Sequence, residues 1–422
     1  HKEGCALNEI KVTIYCLTYN HRDYIKDALD GFLKQKTTFG YKVLVFDDAS
    51  TDGTSEILLD YQQKYPEIFQ VYVSPVNTYG KPERRIVLNE LYDKYLQGEY
   101  VALCEGDDAW IDCEKLQIQI DYMEKHPNCM MTTHAFKRID YSIGKEKKVT
   151  FGENNRLLSP REIILLPNGN LATASLVMRK KVFLRNNGFP TCDVEDRPMQ
   201  LNAIFYGDIY YINREMSLYR YMHEGSWTSH SAVNIENAFV HKIKFAEFLL
   251  EYDVYSKQRY SEWIWENILS YLYAAVMDLC MLENPRSVIY NRDFKENFNM
   301  EQVYEWMSGT HIMNTEELQH IKSFKKICIM GKGRYSQYIK DILKKNNIEY
   351  EGFLLSKKEN ECDHQTWSVA EYPHDERGTL VIVGISQVHE KEIVEILKKN
   401  NFTNVMTPLW FWRKTIEHES NY

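Results

Sequence analysis

Short apolar runs alternate with amphipathic segments over the first quarter of the chain. The runs at 12–17, 41–46, 69–73 and 100–104 have the length and composition of buried strands. The segments between them repeat apolar residues at helical spacing, as residues 24–33 do. Strands that alternate with amphipathic helices predict an α/β fold with a doubly wound, mainly parallel sheet.

Each of these strands ends at residues that could contact a ligand. In doubly wound sheets ligands bind beyond the carboxyl ends of the strands, so we expect the residues at those ends to converge. Thr18 and Tyr19 come after the first strand, and Asp47 and Asp48 after the second. The remaining candidates come after the third and fourth strands: Asn77, Arg84, Arg85, Glu105, Asp107, Asp108 and Trp110.

The densest charge lies after the fourth strand, where Glu105, Asp107 and Asp108 fall within four residues. Carboxylates this close repel one another and are costly to bury. A divalent cation such as Mg²⁺ or Mn²⁺ would relieve the repulsion and could bridge a carboxylate to substrate phosphates. The alternative is an acidic turn before the next helix, with Asp108 as its N-cap.

The other candidates suit a nucleotide. Acidic side chains can accept hydrogen bonds from the imide N–H of a uracil or from ribose hydroxyls, and Tyr19 could stack on the base. Arg84 or Arg85 could pair with phosphate oxygens. Alternatives remain open, because Asp47 or Asp48 could form an Asx-turn before the next helix and one arginine could lie at a solvated helix start.

Composition narrows the class of protein. A chain of 422 residues is long enough for two or three domains. Its net charge of -9 argues against a nucleic-acid-binding protein. The nine cysteines include no C-x-x-C pair, which favours reduced thiols. With no signal-peptide pattern and no apolar run long enough to span a bilayer, we expect a cytoplasmic protein whose membrane contact, if any, is peripheral.

Three motifs occur in order along the first half of the chain: Thr18-Tyr19-Asn20, Val45-Phe-Asp-Asp-Ala-Ser-Thr-Asp-Gly-Thr54 and Gly98-Glu-Tyr-Val-Ala-Leu-Cys-Glu-Gly-Asp-Asp-Ala-Trp110. Their order and spacing resemble the bacterial family 2 glycosyltransferases, a large inverting family with a GT-A fold. The resemblance implies a nucleotide-sugar donor, usually linked to UDP. It also implies Mn²⁺ or Mg²⁺ bound to an Asp-x-Asp motif.

That metal motif reads Glu105-Gly106-Asp107 in this chain, so its first acid is glutamate. The resemblance assigns metal binding to Asp107, with Asp108 as the next candidate. It assigns the uracil contact to Asp48, with Asp47 as its support.

A further acidic pair precedes a predicted helix from about residue 197 to 206, where Pro198 suits the first turn. In the family that the chain resembles, a carboxylate at the start of such a helix is the general base, which takes the proton of the acceptor hydroxyl. Asp196 matches that position, and Glu195 is the second candidate. The alternative is that Asp196 only caps the helix.

The segment from Tyr219 to Thr228 is similar to the Tyr-Arg-x-His-x-x-Ser segment that closes many family 2 catalytic domains. The resemblance places His223 on the metal or the diphosphate. It places Ser226 and Trp227 in a loop over the donor. The alternative is a histidine hydrogen-bonded in a structural turn.

The other patterns of this half predict ordinary elements. We expect a helix at 111–126 with a solvated Lys115, the alternative being that Lys115 faces the site, and a strand at 171–178. We also expect two separate strands, at 208–213 and 216–222.

Helical patterns fill residues 234–323, and strands alternate with helices again from Lys326. The stretch Gly331-x-Gly333-x-x-Ser336 would let a phosphate approach a helix N-terminus. The signal is weak, because Ser336 replaces a third glycine and Ser356 stands where a ribose-binding acid is needed. This part resembles the small Rossmann-like modules of bacterial polysaccharide enzymes, which favours a structural or partner-binding role. The tail at 409–414 mixes aromatic and basic residues and could touch a membrane surface.

We therefore predict a GT-A catalytic domain at 1–232, a helical region at 233–323 that could hold a homodimer interface, and a Rossmann-like domain at 324–422. The predicted function is transfer of a sugar from a UDP-sugar to a hydroxyl of a glycan or lipid-linked acceptor. The resemblance implies bacterial surface polysaccharide synthesis, such as that of capsule or teichoic acid. Two other classes stay open: an NAD-dependent oxidoreductase centred on 331–336 and a non-catalytic sugar-nucleotide binder.

Overall fold

The structure is a computed structural model that describes residues 9–81, 83–166, 171–185, 188–192, 196–223, 226, 234–280, 315–332, 334–356, 366–384 and 390–406. The chain divides into two compact units, one of residues 1–234 and 244–268 and the other of residues 235–243 and 269–422. The predicted domain boundaries at 232 and 323 stay predictions.

Strands and helices alternate in the first part of the first unit, as the apolar pattern predicts. The elements are β1 (Ile10–Thr18), α1 (Ile25–Leu33), β2 (Gly40–Asp47), α2 (Thr54–Lys64), β3 (Phe69–Val73), α3 (Glu83–Tyr95) and β4 (Tyr100–Glu105). Because these strands run parallel, their carboxyl ends lie along one edge of the sheet.

The second part of this unit mixes short strands with helices. Its elements are β5 (Ala109–Trp110), α4 (Lys115–Lys125), β6 (Cys129–Asp140), β7 (Lys145–Val149), β8 (Arg156–Leu158), α5 (Pro160–Ile164), β9 (Val177–Arg179), α6 (Lys180–Leu184), α7 (Asp196–Tyr206) and β10 (Asp208–Tyr221).

All ten strands join one sheet, with the order β3-β2-β1-β4-β9-β6-β10-β5; β7 pairs with β6, and β8 with β10. One face of the sheet packs against α1, since Val12, Ile14 and Cys16, alternate residues of β1, are fully buried in one apolar cluster with Phe32. The α/β class and the mainly parallel sheet expected of a GT-A domain are confirmed.

Two local predictions are wrong. The stretch 171–178 is not a continuous strand, because Thr173–Ser175 form a 3-10 turn in which Ser175 Oγ donates to the Ala172 carbonyl at 2.6 Å. Residues 208–221 are one long strand rather than two. The pairing with β6 changes register between Ile212 and Ser217, but the strand continues through this shift.

The described part of the region predicted to be helical contains α8 (Ile235–Tyr255), α9 (Ser261–Cys280) and α10 (Thr315–Lys322). The first two contribute residues to both compact units. A bilayer-spanning helix is not found in the described part of the chain, where every helix is too short or too polar. The basic aromatic tail at 409–414 lies outside the described residues.

The second unit holds a five-stranded parallel sheet. Its elements are β11 (Lys326–Met330), α11 (Arg334–Lys345), β12 (Gly352–Leu355), β13 (Thr366–Ser368), β14 (Thr379–Val383), α12 (Glu390–Lys399) and β15 (Asn404–Met406). The strand order is β13-β12-β11-β14-β15, in which the chain winds outward to both sides of β11 as in a doubly wound sheet. Two apolar clusters cover the sheet.

Candidate active site

The acidic loop after β4 packs tightly against the end of β1. The Gly106 amide donates to the Leu17 carbonyl at 2.8 Å. A Cβ at position 106 would lie 2.5 Å from Thr18 Oγ1 and 2.9 Å from Ile25 Cδ1. Only glycine fits this contact, so Gly106 allows the loop to carry its carboxylates across the carboxyl edge of the sheet.

Asp107 lies between two histidines in this loop. Its Oδ2 is 2.9 Å from Nε2 of His223 and 3.7 Å from Nε2 of His21. Burial alone would raise the pKa of the Asp107 carboxyl, but the two imidazoles outweigh it and hold the pKa below its usual value. The other oxygen, Oδ1, is buried and has no hydrogen-bond partner among the described residues. Asp107 is therefore an ionised side chain with one oxygen unused.

The two neighbouring acids are held differently. Burial, together with the charges of Asp107 and Asp196, raises the pKa of Glu105 to about 8. Burial and the charges of Asp107 and Glu105 also hold the pKa of Asp108 well above its usual value. Asp108 Oδ1 accepts the Arg220 amide at 3.0 Å, whereas Oδ2 has no partner in the part of the chain that is described. Asp108 does not cap the next helix, which begins at Lys115 after the residue Glu114.

Asp196 is the first residue of α7 and lies near the acidic loop, as its effect on the pKa of Glu105 indicates. The start of α7 is fixed by the buried Arg197, which donates to the carbonyls of Ile163 at 3.0 Å and Ile164 at 3.1 Å. Glu195, the second candidate for the base, lies outside the described residues. The fold thus brings a carboxylate from a distant helix to the residues after β4.

Arg220 holds the acidic loop from its other side, and no feature of the sequence analysis pointed to this role. Its Nη1 donates to the Asp107 carbonyl at 2.7 Å, and its Nη2 pairs with Asp27 of α1. Its guanidinium also lies 4.9 Å from the centre of the Tyr24 ring. Arg220 thereby positions Asp107 through the backbone and Asp108 through its own amide.

His21 is the second residue that sequence reasoning missed. Its Nδ1 is 3.2 Å from Thr18 Oγ1, and its amide donates to Thr54 Oγ1 at 3.0 Å. Burial lowers the pKa of His21. The signal was its place directly after Thr18-Tyr19-Asn20, at the carboxyl end of β1.

A second cluster forms where β2 and the loop after β3 meet. Asp48 Oδ1 accepts from the amide and the hydroxyl of Thr78, both at 2.7 Å, and its Oδ2 pairs with Arg84 Nη1 at 2.6 Å. Asn77 Nδ2 donates to the Asp48 carbonyl at 3.2 Å. The structure therefore brings Asp48, Asn77 and Arg84 together, as predicted for residues at strand ends.

The remaining nucleotide candidates differ in placement. Asp47 makes the local turn, since its carboxylate accepts from the Ser50 amide and from the hydroxyls of Ser50 and Ser55. Arg85 is exposed on α3, and Tyr19 is 43% exposed at the edge of the sheet. Their roles as donor contacts stay predictions, as do those of the other candidate residues.

Trp110 lies in the core. Its Nε1 donates to the Ala174 carbonyl at 3.0 Å, and its ring packs edge to face against Phe32. Lys115 Nζ lies 4.0 Å from the centre of the Trp110 ring. The predicted solvated Lys115 is wrong, because this side chain is fully buried and burial lowers its pKa to about 7. The helical period of α4 turns Lys115 inward with Gln119, one turn later.

His223 follows the end of β10 and is 2% exposed. Its ring also packs against Tyr24, with centroids 4.8 Å apart. The contact with Asp107 is compatible with both interpretations of His223, as a metal ligand and as an orienting group. Ser226 is buried, and Trp227 lies outside the described residues.

Residues 13–183 match the family model described as glycosyl transferase family 2. This part of the chain therefore resembles a family 2 glycosyltransferase domain. An uncharacterized protein of Mycobacterium tuberculosis is 32% identical over 237 residues, which cover 54% of this chain and 63% of that relative. The chain thus spans less than two thirds of the length of this relative.

TuaG of Bacillus subtilis, a glycosyltransferase provisionally assigned to teichuronic acid biosynthesis, is 33% identical over 31% of this chain and 47% of its own length. Among solved structures, S. aureus TarS 1–349 in complex with UDP-GlcNAc has a TM-score of 0.45 and 18% identity, and the match covers 71% of this chain and 92% of TarS 1–349. The TarS similarity is too low to support a conclusion about this chain.

Proposed function

We propose that the first unit is an inverting glycosyltransferase, which moves a sugar from a UDP-sugar to an acceptor hydroxyl. One observation carries the proposal: three carboxylates converge at the sheet edge, where Asp107 Oδ1 and Asp108 Oδ2 are buried without a hydrogen-bond partner among the described residues, and Asp196 lies near enough to change the pKa of Glu105. Buried unpaired carboxylate oxygens are costly unless something binds them. The match of residues 13–183 to the glycosyl transferase family 2 model supports the same activity.

The nucleotide would bind at the cluster of Asp48, Asn77 and Arg84. Arg84 already pairs with Asp48, so a donor would meet a preformed carboxylate–guanidinium unit. The guanidinium could turn from this carboxylate to a phosphate, since arginine binds both with the same donor geometry. Tyr19 is exposed at the neighbouring strand end and can stack on the base.

Residues after β4 fit a divalent cation, Mn²⁺ or Mg²⁺. Asp107 has an unused oxygen, and Asp107 and His223 already lie 2.9 Å apart. Among the described residues no three His, Cys, Asp or Glu side chains surround one cation position, so the diphosphate would complete the ligand set. When bound, the cation would neutralise the charge of the leaving diphosphate. Arg220 keeps the loop in place by holding the Asp107 carbonyl.

Asp196 would serve as the base. The acceptor oxygen attacks the anomeric carbon from the face opposite UDP, its proton passes to the Asp196 carboxylate, and the bond from the anomeric carbon to the phosphate oxygen breaks. One attack on one face inverts the configuration. The acceptor would be a hydroxyl of a glycan or lipid-linked molecule of the bacterial surface, a proposal supported by the relationship to TuaG.

The test is slow hydrolysis of donors, which needs no known acceptor. A panel of UDP-glucose, UDP-galactose and UDP-N-acetylglucosamine is incubated with the full chain with and without Mn²⁺, and UDP release is measured. We expect release from at least one donor, dependent on Mn²⁺. Asp196→Asn should lower turnover by about 10²-fold or more while UDP affinity stays within twofold.

A thermal-shift assay, together with the donor panel, distinguishes the two alternative functions. Stabilisation in a thermal shift by NAD⁺ but not by UDP with Mn²⁺ would support the oxidoreductase and overturn the proposal. UDP binding without turnover of any donor, with or without candidate acceptors, would instead support a non-catalytic binder.

A further inference from the structure

Strands β7, β6 and β10 lie side by side where the sheet extends past the acidic loop. The registers of β6 with β10 and of β6 with β7 align their residues in cross-strand rows. Side chains of directly paired residues lie on the same face, as do those two residues apart along a strand. We call the two outermost rows the cationic ladder: Tyr219, Arg138 and Lys147 in one row, and Tyr221, Asp140 and Lys145 in the other.

The ladder begins beside the acidic loop. In the antiparallel pairing of β5 with β10, Leu218 is opposite Ala109. Continuing this register by one residue places Tyr219 opposite Asp108. Burial raises the pKa of Tyr219, and the charges of Asp108, Glu105 and Asp107 raise it further, so the phenol lies within their electrostatic reach. One end of the ladder therefore faces the carboxylates after β4.

The middle of the ladder is a stacked arginine. The guanidinium of Arg138 lies 3.5 Å from the centre of the Tyr221 ring, and its Nη2 donates to Asp140 at 3.0 Å. Its Nε is buried without a hydrogen-bond partner in the described residues. This arrangement puts a positive charge beside the half-buried Tyr221 ring, whose aromatic surface suits contact with a sugar ring.

The far end is positive. Lys145 and Lys147 are exposed, and neither forms an ion pair with a described residue. On the opposite face of the same strands, by contrast, Lys137 pairs with Glu146. The ladder thus carries three cations and one acid on a chain whose net charge is -9. Two interstrand spacings, about 10 Å, separate the lysines from Tyr219.

We propose that the cationic ladder binds the acceptor, and that the acceptor is a chain bearing phosphodiester-type negative groups. A hydroxyl beside the acidic loop would then have its nearest anionic group about 10 Å away, over Lys145 and Lys147. A sugar or polyol unit would lie between them on Tyr219 and Tyr221. This inference rests on the proposed function, to which it adds the chemical class of the acceptor.

The experiment uses long-chain inorganic polyphosphate as the probe, labelled for fluorescence anisotropy, with the full chain and without donor. Lys145→Ser/Lys147→Ser removes the ladder lysines. Lys125→Ser/Lys148→Ser is the matched control, since it removes the same charge from an exposed position on α4 and from the opposite face of β7. Neutral dextran and phosphatidylglycerol vesicles form two further arms, and UDP binding is measured for each variant.

We expect the ladder variant to bind polyphosphate about tenfold more weakly than wild type in low salt, and the control variant to lose less than about threefold. Dextran should not compete, and UDP binding should be unchanged in both variants. Equal losses in the two variants would overturn the proposal, because the lysines would then act only as general charge that protects an edge strand.

Ladder-dependent capture by vesicles without polyphosphate binding would also overturn the proposal, in favour of a lipid surface. Failure of wild type to bind UDP would count against the proposed function alone, since polyphosphate binding is measured in the absence of donor.

Discussion

The described residues form two sheets, one mainly parallel and one fully parallel, and the side chains at the carboxyl ends of their parallel strands differ. In the first unit the carboxyl edge holds Glu105, Asp107 and Asp108, and Asp107 Oδ1 and Asp108 Oδ2 are buried without a hydrogen-bond partner among the described residues. In the second unit, the end of β11 meets Ser336, which is fully buried and donates to the Gly384 carbonyl at 2.8 Å. The Gly331 amide there donates to the Leu354 carbonyl at 2.8 Å.

The contrast is clearest in buried polar atoms without partners. Each such atom costs about 1–3 kcal/mol, so proteins keep few of them without a reason. Within residues 315–406, the described part shows none. In the first unit such atoms occur on Asp107, Asp108, Lys115, Gln119, His134, Arg138, Asn202 and Ser217.

The difference between the two edges shows that the position of a ligand site and its ability to bind a ligand have separate causes. Doubly wound topology directs a ligand to the carboxyl edge of a sheet, but the residue types at that edge decide whether anything is bound. The second unit shares the topology, but at the end of β11 the Ser336 hydroxyl is buried and bonded to the Gly384 carbonyl. The structural or partner-binding role of this unit stays a prediction.

Asp107→Asn is expected to have the largest effect on the difference between the two sheet edges. We expect it to abolish metal-dependent donor hydrolysis, with a loss of at least about 10²-fold, because the remaining amide is a weak ligand for a hard cation. Ser336→Ala, the counterpart in the second unit, should leave hydrolysis unchanged. UDP release with and without Mn²⁺ measures both. Loss of activity in Ser336→Ala alone would reverse the assignment of the two edges.

A smaller loss is expected from Arg220→Gln, which removes the contacts to the Asp107 carbonyl and to Asp27. Groups that orient a metal ligand typically change metal affinity by about 10- to 100-fold, and we expect a loss in that range. Mn²⁺ binding followed by electron paramagnetic resonance tests it. Unchanged Mn²⁺ affinity together with unchanged stability would show that Arg220 does not position the loop.

Two glycines test close packing at the two edges. An alanine Cβ would lie 2.5 Å from Thr18 Oγ1 at position 106 and 2.7 Å from Ser336 Cα at position 384. Gly106→Ala and Gly384→Ala should each lower the free energy of unfolding by about 1–3 kcal/mol in urea titrations. Only Gly106→Ala should weaken Mn²⁺ binding as well. Equal effects of Gly106→Ala and Gly384→Ala on Mn²⁺ binding would contradict the assignment of the cation site to the edge of the first unit.

The smallest effect concerns the buried Lys115, whose pKa falls from 10.5 to about 7 in the folded protein because of burial. Between these pH values the unfolded chain holds a proton that the folded protein does not, so stability should rise with pH from about 7. Lys115→Met should remove this rise, up to about 1.4 kcal/mol per pH unit. Urea unfolding from pH 6 to 9 tests it, with the exposed Lys125→Met as control. Parallel pH profiles for Lys115→Met and wild type would rule out the shift.

Much of the fold followed from local pattern. The strands β1 to β4 lie where apolar runs predicted them, because the period of apolar residues records which face of an element is buried. The start of α5 is equally local, because its capping box joins Ser159 to Glu162, three residues later. Position at a strand end then placed Asp48, Asp107 and Arg84 at one edge.

The partnerships within that edge were decided by tertiary structure alone. Asp47 and Asp48 are adjacent and chemically alike, yet Asp47 serves a turn and Asp48 pairs with Arg84, because the loop after β3 packs over only one of them. Arg220 meets Asp27 across 193 positions of sequence. Such contacts depend on how distant elements pack, and no short-range period of the sequence records them. Lys115 is buried for the same reason, because its neighbours include Cys104 of β4, Trp110 of β5 and His134 of β6, which lie outside its own helix.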